Sequence, residues 1–547
     1  MKTWLIGGVS LLALGLAQPA AAGDLRPGTA PAAWSWTGAY GGLNAGFASQ
    51  SQNVSDPYGP SIFGDGVRTP GFLLGGVIGY DWQVPGASWV LGVAADADWL
   101  DARGTETCFA FAGEATSSTC GAQPDFSGTL TGRLGYAAGQ DGHTLLYVKG
   151  GAAVLHNRLN ATTNNNPTAI SSSNATSRDA TTWGWTAGAG IEQAIAPAWS
   201  VKFEYDYLGI GDAGLASPES YLTAPDGSLF LVPSAGAKVD QSLNLFKVGL
   251  NYRFGADPRA RWDAAPAAPA ATIMPSGWEF EGGVRYWYSS GRFQKDLPLD
   301  SGSSSSLVSR LTYDGLTAHS GELYGRVDSP WNLFLKGYAG LGKIVDGHLN
   351  DEDWGLGYSN TRSDLRNTNL DYATIDLGYN VLQGSGFQAG AFVGYNHVHE
   401  QYAATNCEQI ALQASGICAP AISNTAVITE TDDWDSMRVG LSTAVAVTPR
   451  LTLSGDVAYL PYVHFDGRDN HWLRDLVIDE SGEGRGAQFQ AMASYAVTPH
   501  FNLGVGGRYW SMWTTRGSDV FGGTPIARND TYRYERYGLI AQAGYKF

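Results

Sequence analysis

The sequence has few charged residues for its length and an excess of acidic ones. Of its 547 residues, 34 are Lys or Arg and 51 are Asp or Glu, so the net charge is −17. Because binding to phosphate backbones requires an excess of basic residues, this balance argues against nucleic acid as a partner. After the first segment, no apolar run approaches the roughly 18 residues that a spanning helix requires. Any membrane-spanning role must therefore use strands.

Cysteine is also scarce, and the four residues form two close pairs, Cys108 with Cys120 and Cys407 with Cys418. Neither pair has CxxC spacing, so disulfides are favoured over a zinc site. Disulfides need an oxidising compartment. The first segment, "MKTWLIGGVSLLALGLAQPAAAGDL", has a basic Lys2, an apolar run and small residues at its end. This is typical of a signal peptide, which we predict over residues 1–22.

The next segment is rich in glycine and aromatic residues that alternate with apolar ones, as in "WTGAYGGLNAGFA" and "GFLLGGVIGYDWQ". Alternation predicts strands with one apolar face. Tight joints near Pro85, Gly139 and Ala196 alternate with long ones rich in Asn, Ser and Thr, which is the layout of an outer-membrane barrel. We predict about eight strands over residues 23–254. A barrel of that size is filled by its own side chains, so an open pore is not expected.

An alanine- and proline-rich segment, residues 255–276, interrupts the alternation and predicts an extended periplasmic linker. The pattern restarts and predicts about ten strands over residues 277–547. The predicted fold class is all-β, with two tandem transmembrane antiparallel β-barrels. Secreted β-sandwiches also use alternating strands. The aromatic residues at strand ends and the similar endings "YRF" and "YKF" favour barrels over sandwiches.

Two predicted external loops of the second barrel carry polar clusters, "NDEDW" after the third strand and "GRDNHW" after the seventh. Residues two apart in an extended chain project to the same side, which pairs Asp351 with Asp353 and Asp469 with His471. Strands four apart lie nearly opposite in a ten-stranded barrel, so the pairs can face each other. A His beside a carboxylate can remove a proton from water, and facing carboxylates can hold that water. This arrangement predicts a hydrolase.

Strict alternation from Leu333 and Leu335, or from Leu451 and Val463, would turn these four side chains outward. A register break at Ile344–Val345 and a bulge near Gly467 would direct them into the lumen, and we assume both.

A metal site is the alternative interpretation of the second cluster. It would use four residues that a Gly467 bulge would bring together: His464, Asp466, Asp469 and His471.

The second half resembles the omptin family of outer-membrane proteases. The resemblance rests on "SRLTYDG", "KGYAGLG", "DEDW", "DYATIDLGY", "GAFVGYN" and "RDNHW", in the family's order, and extends across residues 278–547. It implies a ten-stranded barrel with a groove facing outside and a peptidase acting on polypeptides. Asp469 and His471 match the family's dyad, and Asp351 and Asp353 match its Asp pair. It implies no metal and no organic cofactor.

The second half also departs from the omptin pattern. Lys295 stands where the family has a Glu, and Gly467 replaces a pocket Asp, so the expected preference for basic cleavage sites is weakened. Asp466 and Glu352 are candidates to compensate. Omptins also need lipopolysaccharide, which we expect as a partner together with outer-membrane lipid.

On the strand that contacts lipid in omptins, Tyr395 fits the family pattern, whereas His397 and His399 replace a charged pair.

The first half resembles small eight-stranded outer-membrane proteins of alpha-proteobacteria, through "WTGAYGGLNAGF" and "FKVGLNYRFG". That resemblance implies a structural, adhesive or immune-facing role in the outer membrane. The whole chain is therefore predicted to be an omptin-like endopeptidase fused to a small structural barrel. The alternative is a non-catalytic surface protein, an adhesin or an envelope-stabilising, porin-like barrel. The sequence does not assign a role to the first barrel.

Overall fold

The computed structural model describes residues 34–110, 117–139, 142–164, 174–223, 228–255, 277–298, 307–354, 358–366, 368–384, 386–411, 416–526 and 529–547. Strands dominate these residues, and no described helix is long and apolar enough to cross a membrane. The signal peptide predicted over residues 1–22 and nearly all of the linker predicted over residues 255–276 lie outside the described residues.

The first sheet closes into a ring of eight antiparallel strands, as the alternation predicts. β1 pairs with β11, and β3 pairs with β5 to complete the ring, while the short β4 extends the top of β5. β9 and β10 form a separate hairpin. The strands are β1 (Gly38–Val54), β2 (Gly66–Gln83), β3 (Trp89–Ala102), β4 (Gly104–Cys108), β5 (Ser118–Ala138), β6 (Thr144–Thr163), β7 (Ala175–Ala196), β8 (Trp199–Ala216), β9 (Ser220–Thr223), β10 (Leu229–Val232) and β11 (Gly236–Arg253).

The second sheet closes into a ring of ten long antiparallel strands, which confirms the other predicted count. β12 pairs with β23 to close the ring, and the short β15 and β22 extend its upper edge. The strands are β12 (Glu279–Pro298), β13 (Leu307–Asp328), β14 (Leu333–Asp353), β15 (Ser359–Leu365), β16 (Thr368–Gly384), β17 (Phe387–Ala411), β18 (Ala426–Ala446), β19 (Leu451–His471), β20 (Leu476–Ala496), β21 (Phe501–Phe521), β22 (Thr524–Ile526) and β23 (Thr531–Lys546).

Each ring has tight turns at one end and long connections at the other. Among the described residues of the second barrel, tight turns are at residues 329–332, 447–450 and 497–500. Outer-membrane barrels place such turns in the periplasm. We call the opposite, external end of the second barrel its mouth.

Exposed apolar side chains form a band around the second barrel, with aromatic residues at both edges. Leu341, Ile375, Val393, Leu441 and Leu503 lie within the band. The edge near the tight turns carries Trp331, Tyr379, Tyr495 and Tyr545, and the edge toward the mouth carries Tyr288, Tyr395, Tyr462 and Tyr537. Such girdles mark the two interfaces of a membrane. The strands continue well beyond the upper girdle, because a crossing needs only about 9–11 residues.

Both disulfides that the cysteine spacing predicts are present. Cys108 is bonded to Cys120, and Cys407 to Cys418. The first joins β4 to β5, and the second joins Cys407 near the end of β17 to Cys418 in the connection before β18. Each disulfide therefore fixes one external segment.

Candidate functional site

Asp469 and His471 lie at the mouth end of β19, within the strand and not in a loop after it as the sequence predicts. Both side chains point into the barrel and are almost fully buried. Below the mouth, Leu460 points inward and Tyr462 outward, whereas Val463 and Phe465 are again buried inside.

The cause of this change of face is an extra residue in β19. The register with β20 shifts between Leu460 and Val463, and the register with β18 shifts at the same level. One extra residue turns the rest of a strand over. The predicted bulge near Gly467 is wrong, since pairing there is continuous; the bulge lies around Pro461 instead.

Asp351 and Asp353 also lie within a strand, at the mouth end of β14. The register with β13 shifts across Ile344 and Asp346, which leaves Val345 as an extra residue. This confirms the assumed break at Ile344–Val345. Above it Leu349 joins the buried interior of the barrel, and Asp351 and Asp353 follow on the same face.

The two pairs face each other across the mouth. His471 Nε2 lies 2.9 Å from Asp469 Oδ2. On the other wall, Asp353 accepts a hydrogen bond of 3.2 Å from Arg474, which follows β19. This contact spans the mouth from β19 to β14, so the Asp pair and the Asp–His pair belong to one site.

Burial and the facing charges perturb this site, which lies beyond the upper girdle and therefore outside the membrane. Burial and the neighbouring Asp353 raise the pKa of Asp351 to about 7. Burial alone would lower the pKa of His471, but the charge of Asp469 and its hydrogen bond outweigh burial and raise that pKa above the ordinary 6.5. At neutral pH the site can therefore hold both a proton donor and a proton acceptor.

Lys295 is the most consequential departure from the omptin pattern. Its ammonium is buried and donates to Glu430 Oε2 at 2.8 Å and to Glu480 Oε1 at 2.7 Å. It also contacts Asp469 of the dyad directly. One ammonium cannot balance three carboxylates, and burial accordingly raises the pKa of Glu430 and of Glu480. We call these four side chains the lysine cage.

The sequence analysis missed Glu430 and Glu480. Glu430 is the cross-strand partner of Asp469, and Glu480 is the partner of Gly467. A Cβ added at Gly467 would lie 2.6 Å from the Phe465 ring and 3.0 Å from Glu480 Oε2, so these two side chains fill the space that a side chain at position 467 would need. The available signal was the alternation of Glu430, Asp432 and Trp434, which are all buried.

Asp466 and Glu352 do not compensate for the missing pocket acids, so that prediction is wrong. Asp466 points outward and is 62% exposed. Glu352 is buried on the outer side of β14, where it accepts a hydrogen bond of 2.8 Å from Thr107 of the first barrel. Both lie one residue out of phase with the inward-facing positions.

The four residues of the alternative metal site do not come together. His464 and Asp466 pair with each other on the outer face, at 3.0 Å, whereas Asp469 and His471 point inward. Among the described residues, one group has carboxylate oxygens close enough to hold a metal, namely Glu430, Asp469 and Glu480. Lys295 already supplies a cation to these three carboxylates.

The residues expected to contact lipid lie on the outer surface of β17. Tyr395 belongs to the upper girdle and bonds to Asp435. His397 Nδ1 lies 2.8 Å from Asp435 Oδ1, and His399 Nδ1 lies 2.7 Å from Asp433 Oδ1. This outer row therefore pairs histidines of β17 with aspartates of β18.

Comparison with known proteins finds a different family model for each half. An outer membrane protein beta-barrel domain model matches residues 8–254, and the omptin family model matches residues 312–538. The 31 kDa outer-membrane immunogenic proteins of Brucella melitensis and Brucella suis are each 30% identical over 227 residues, which cover 40% of this chain and 85% of theirs.

Among solved structures, the outer membrane protease OmpT of Escherichia coli matches 51% of this chain and 100% of its own, at 15% identity and a TM-score of 0.41. The 30% identity to the Brucella proteins shows that the chain belongs to the bacterial outer-membrane β-barrel proteins, and residues 312–538 match the omptin family model. It is a protein of the bacterial outer membrane.

Proposed function

We propose that the second barrel is an outer-membrane endopeptidase whose groove faces outside. The observation that carries this proposal is the His471–Asp469 pair, 2.9 Å apart, facing Asp351 and Asp353 on the opposite wall. The mouth lies above the membrane band, at the end that outer-membrane barrels expose to the outside.

The proposed mechanism is general-base hydrolysis. With Nε2 bonded to Asp469, the Nδ1 atom of His471 is free to take a proton from water, and the water oxygen attacks the peptide carbonyl carbon. Asp469 orients the imidazole and stabilises its charged form. Protonated Asp351 donates a hydrogen bond to the developing oxyanion. The proton on His471 then passes to the peptide nitrogen, the C–N bond breaks, and the amine and the carboxylic acid leave. The steps need no metal.

Polypeptides are the proposed substrates, without the strong preference for basic side chains that omptins have. The lysine cage already contains a cation, so an arginine or lysine of a substrate would meet Lys295 instead of free carboxylates. Lipopolysaccharide is the proposed lipid partner, at the outer face of β17 near Tyr395.

The test is cleavage of a broad peptide library by the full-length chain folded in lipopolysaccharide. His471→Ala and Asp469→Asn should lower turnover by at least about 10²-fold, since positioned general bases contribute roughly 10²–10⁴. His464→Ala is the matched control, because that histidine lies on the same strand but points outward. It should retain full activity. A parallel arm without lipopolysaccharide tests the lipid requirement, and a chelator arm should leave cleavage unchanged.

The same preparation gives a pH profile. His471 acts as a base only when neutral, so turnover should rise with pH through its pKa, which is raised above 6.5. Asp351 donates only when protonated, so turnover should fall again as Asp351 loses its proton around its pKa of about 7.

One observation favours the alternative, a non-catalytic surface protein. Lys295 contacts the dyad carboxylate and so competes with His471 for it. If no peptide is cleaved in a His471-dependent way by folded protein, the surface-protein function replaces the peptidase.

A further inference from the structure

The first barrel contacts the second directly behind the Asp351–Asp353 pair. Residues 104–110, here named the docking segment, comprise β4 and two residues beyond it. Thr107 in this segment is fully buried, and its hydroxyl donates to Glu352 Oε2 at 2.8 Å. Glu352 stands between Asp351 and Asp353 in β14, on the opposite face of the strand. The docking segment therefore covers the back of the proposed catalytic strand.

The contact continues across the neighbouring strands of the second barrel. Arg310, the cross-strand partner of Glu352, donates to Thr107 Oγ1 at 2.8 Å and to Asp296 Oδ1 at 2.7 Å. Thr105 in turn donates to Asp296 Oδ2 at 2.6 Å. Burying charged side chains destabilises the fold unless each of them has a hydrogen-bonding partner, and Thr105 and Thr107 supply such partners.

An apolar contact seals one side of this cluster. Ala110 packs with Leu307, Trp354 and Tyr358 in a single buried group. The indole of Trp354, the residue after Asp353, donates to Ser117 Oγ at 2.6 Å. Strand β14 is thus held at its last residues by side chains of the first barrel. The Cys108–Cys120 disulfide fixes the docking segment to β5.

Lower down, the barrels touch through aromatic rings, such as Phe72 with Tyr459 and Phe246 with Phe489. Lipid tails are as apolar as these rings, so such contacts give little preference for one rotation of the barrels over another. The polar contacts above the band are directional and do give that preference. The docking segment therefore determines how the first barrel abuts β14.

We propose that the first barrel is a built-in positioning unit, whose docking segment holds the end of β14 so that Asp351 and Asp353 face His471. The effect on catalysis rests on the proposed function. The docking of the first barrel against β14 is independent of it. Thr105 and Thr107 are positioning residues, because they act through Glu352, Arg310 and Asp296 and touch no substrate.

The test uses the full-length Thr105→Ala/Thr107→Ala chain. We expect faster amide hydrogen exchange at residues 349–354 than in the natural chain. We also expect kcat to fall by roughly tenfold or more with KM nearly unchanged, because a misplacement of about 1 Å can cost on the order of 10²-fold. Thr105→Ser/Thr107→Ser keeps both hydroxyls and should match the natural chain in both measurements. Thr181→Ala, on the exposed surface of β7, is the matched control and should change neither.

The outcomes separate the two proposals. Unchanged exchange at residues 349–354 overturns the docking role, whatever the activity. Faster exchange with an unchanged kcat overturns the positioning role. If the natural chain cleaves nothing, the peptidase proposal fails. Faster exchange in the double alanine variant that is absent from Thr105→Ser/Thr107→Ser still supports docking. Glu352→Ala offers a second disruption from the other barrel if the threonine variant does not fold.

Discussion

At the scale of single residues, Lys295 decides what the site can bind. It lies where an acidic side chain would be expected, yet the acidity of the pocket is retained in Glu430 and Glu480. The chain has therefore kept the carboxylates and added its own cation. A substrate cation must displace a fully buried lysine that donates to three carboxylates, which is strongly unfavourable.

Removing that cation should reveal a preference for basic substrates. In Lys295→Ala we expect the ratio of kcat/KM for an arginine peptide to that for an alanine peptide to rise at least about tenfold, as one charge-assisted hydrogen bond contributes about 1.5–3 kcal/mol. Stability should fall, because the carboxylates lose their partner. Paired peptides that differ at one position give the ratio, and gel mobility of unheated protein checks folding.

Lys343→Ala provides the control, since Lys343 is an exposed lysine that bonds to Asn369 on the outer face. An unchanged ratio in folded Lys295→Ala would show that the lysine cage does not receive a substrate side chain.

Residue-scale prediction from the sequence was good where motifs are local and poor where partners come from other strands. The spacing of Asp469 and His471 predicted a pair, and the structure has them 2.9 Å apart. Glu480 could not be found this way, since it reaches the site only through its pairing with Gly467. The prediction that Asp466 replaces the missing pocket acid failed because that side chain lies on the other face of β19.

At the scale of strands, two extra residues determine the site. β14 gains one at Val345 and β19 gains one around Pro461, both just above the membrane band. Below the bulges, alternate side chains of each strand point into the lumen and toward lipid. Above the bulges, the positions that would have pointed outward point inward instead. Strict alternation would have put all four proposed catalytic side chains on the outer surface.

Sequence analysis established the need for such a break but located only one of the two. Val345 was found because the outward series from Leu333 had to end before Asp351. Gly467 was chosen as the second because glycine is common at bulges, whereas the bulge lies at a proline, whose missing N–H suits an unpaired position.

Deleting Pro461 should therefore turn the end of β19 over. Without the extra residue, alternation runs unbroken and Asp469 and His471 point outward. We expect loss of turnover by at least about 10²-fold, as for removal of the general base. A cysteine placed at position 471 should become reactive to a membrane-impermeant thiol reagent from the outer face only in the deletion background. Full activity of the deletion variant would mean that the bulge does not determine whether Asp469 and His471 point into the barrel.

At the scale of the whole molecule, the sequence predicted both strand counts and both disulfides. Period-two alternation and turn length are local signals, so they can be recognised without knowing which strands lie next to each other. The side-by-side packing of the barrels left no such signal. Thr105 and Thr107 are ordinary loop residues in the sequence, and their role depends on strands that lie far along the chain.

The arrangement of the barrels carries a prediction about topology. Tight turns lie at the same end of both barrels, and each barrel has an even number of strands, so both chain ends and the predicted linker belong in the periplasm. An epitope tag inserted within Ala265–Thr272 of the full-length chain should be inaccessible to antibody on intact cells and accessible after the outer membrane is opened. A tag inserted after Pro218, between β8 and β9 at the external end, is the matched control and should be accessible on intact cells.

The physical reason is that an even strand count returns the chain to its starting side, so the linker could lie outside only if one barrel had an odd number of strands. Labelling of the linker tag on intact cells would contradict the two-barrel topology, and with it the contact between the docking segment and β14, because the two mouths would then open on opposite sides of the membrane.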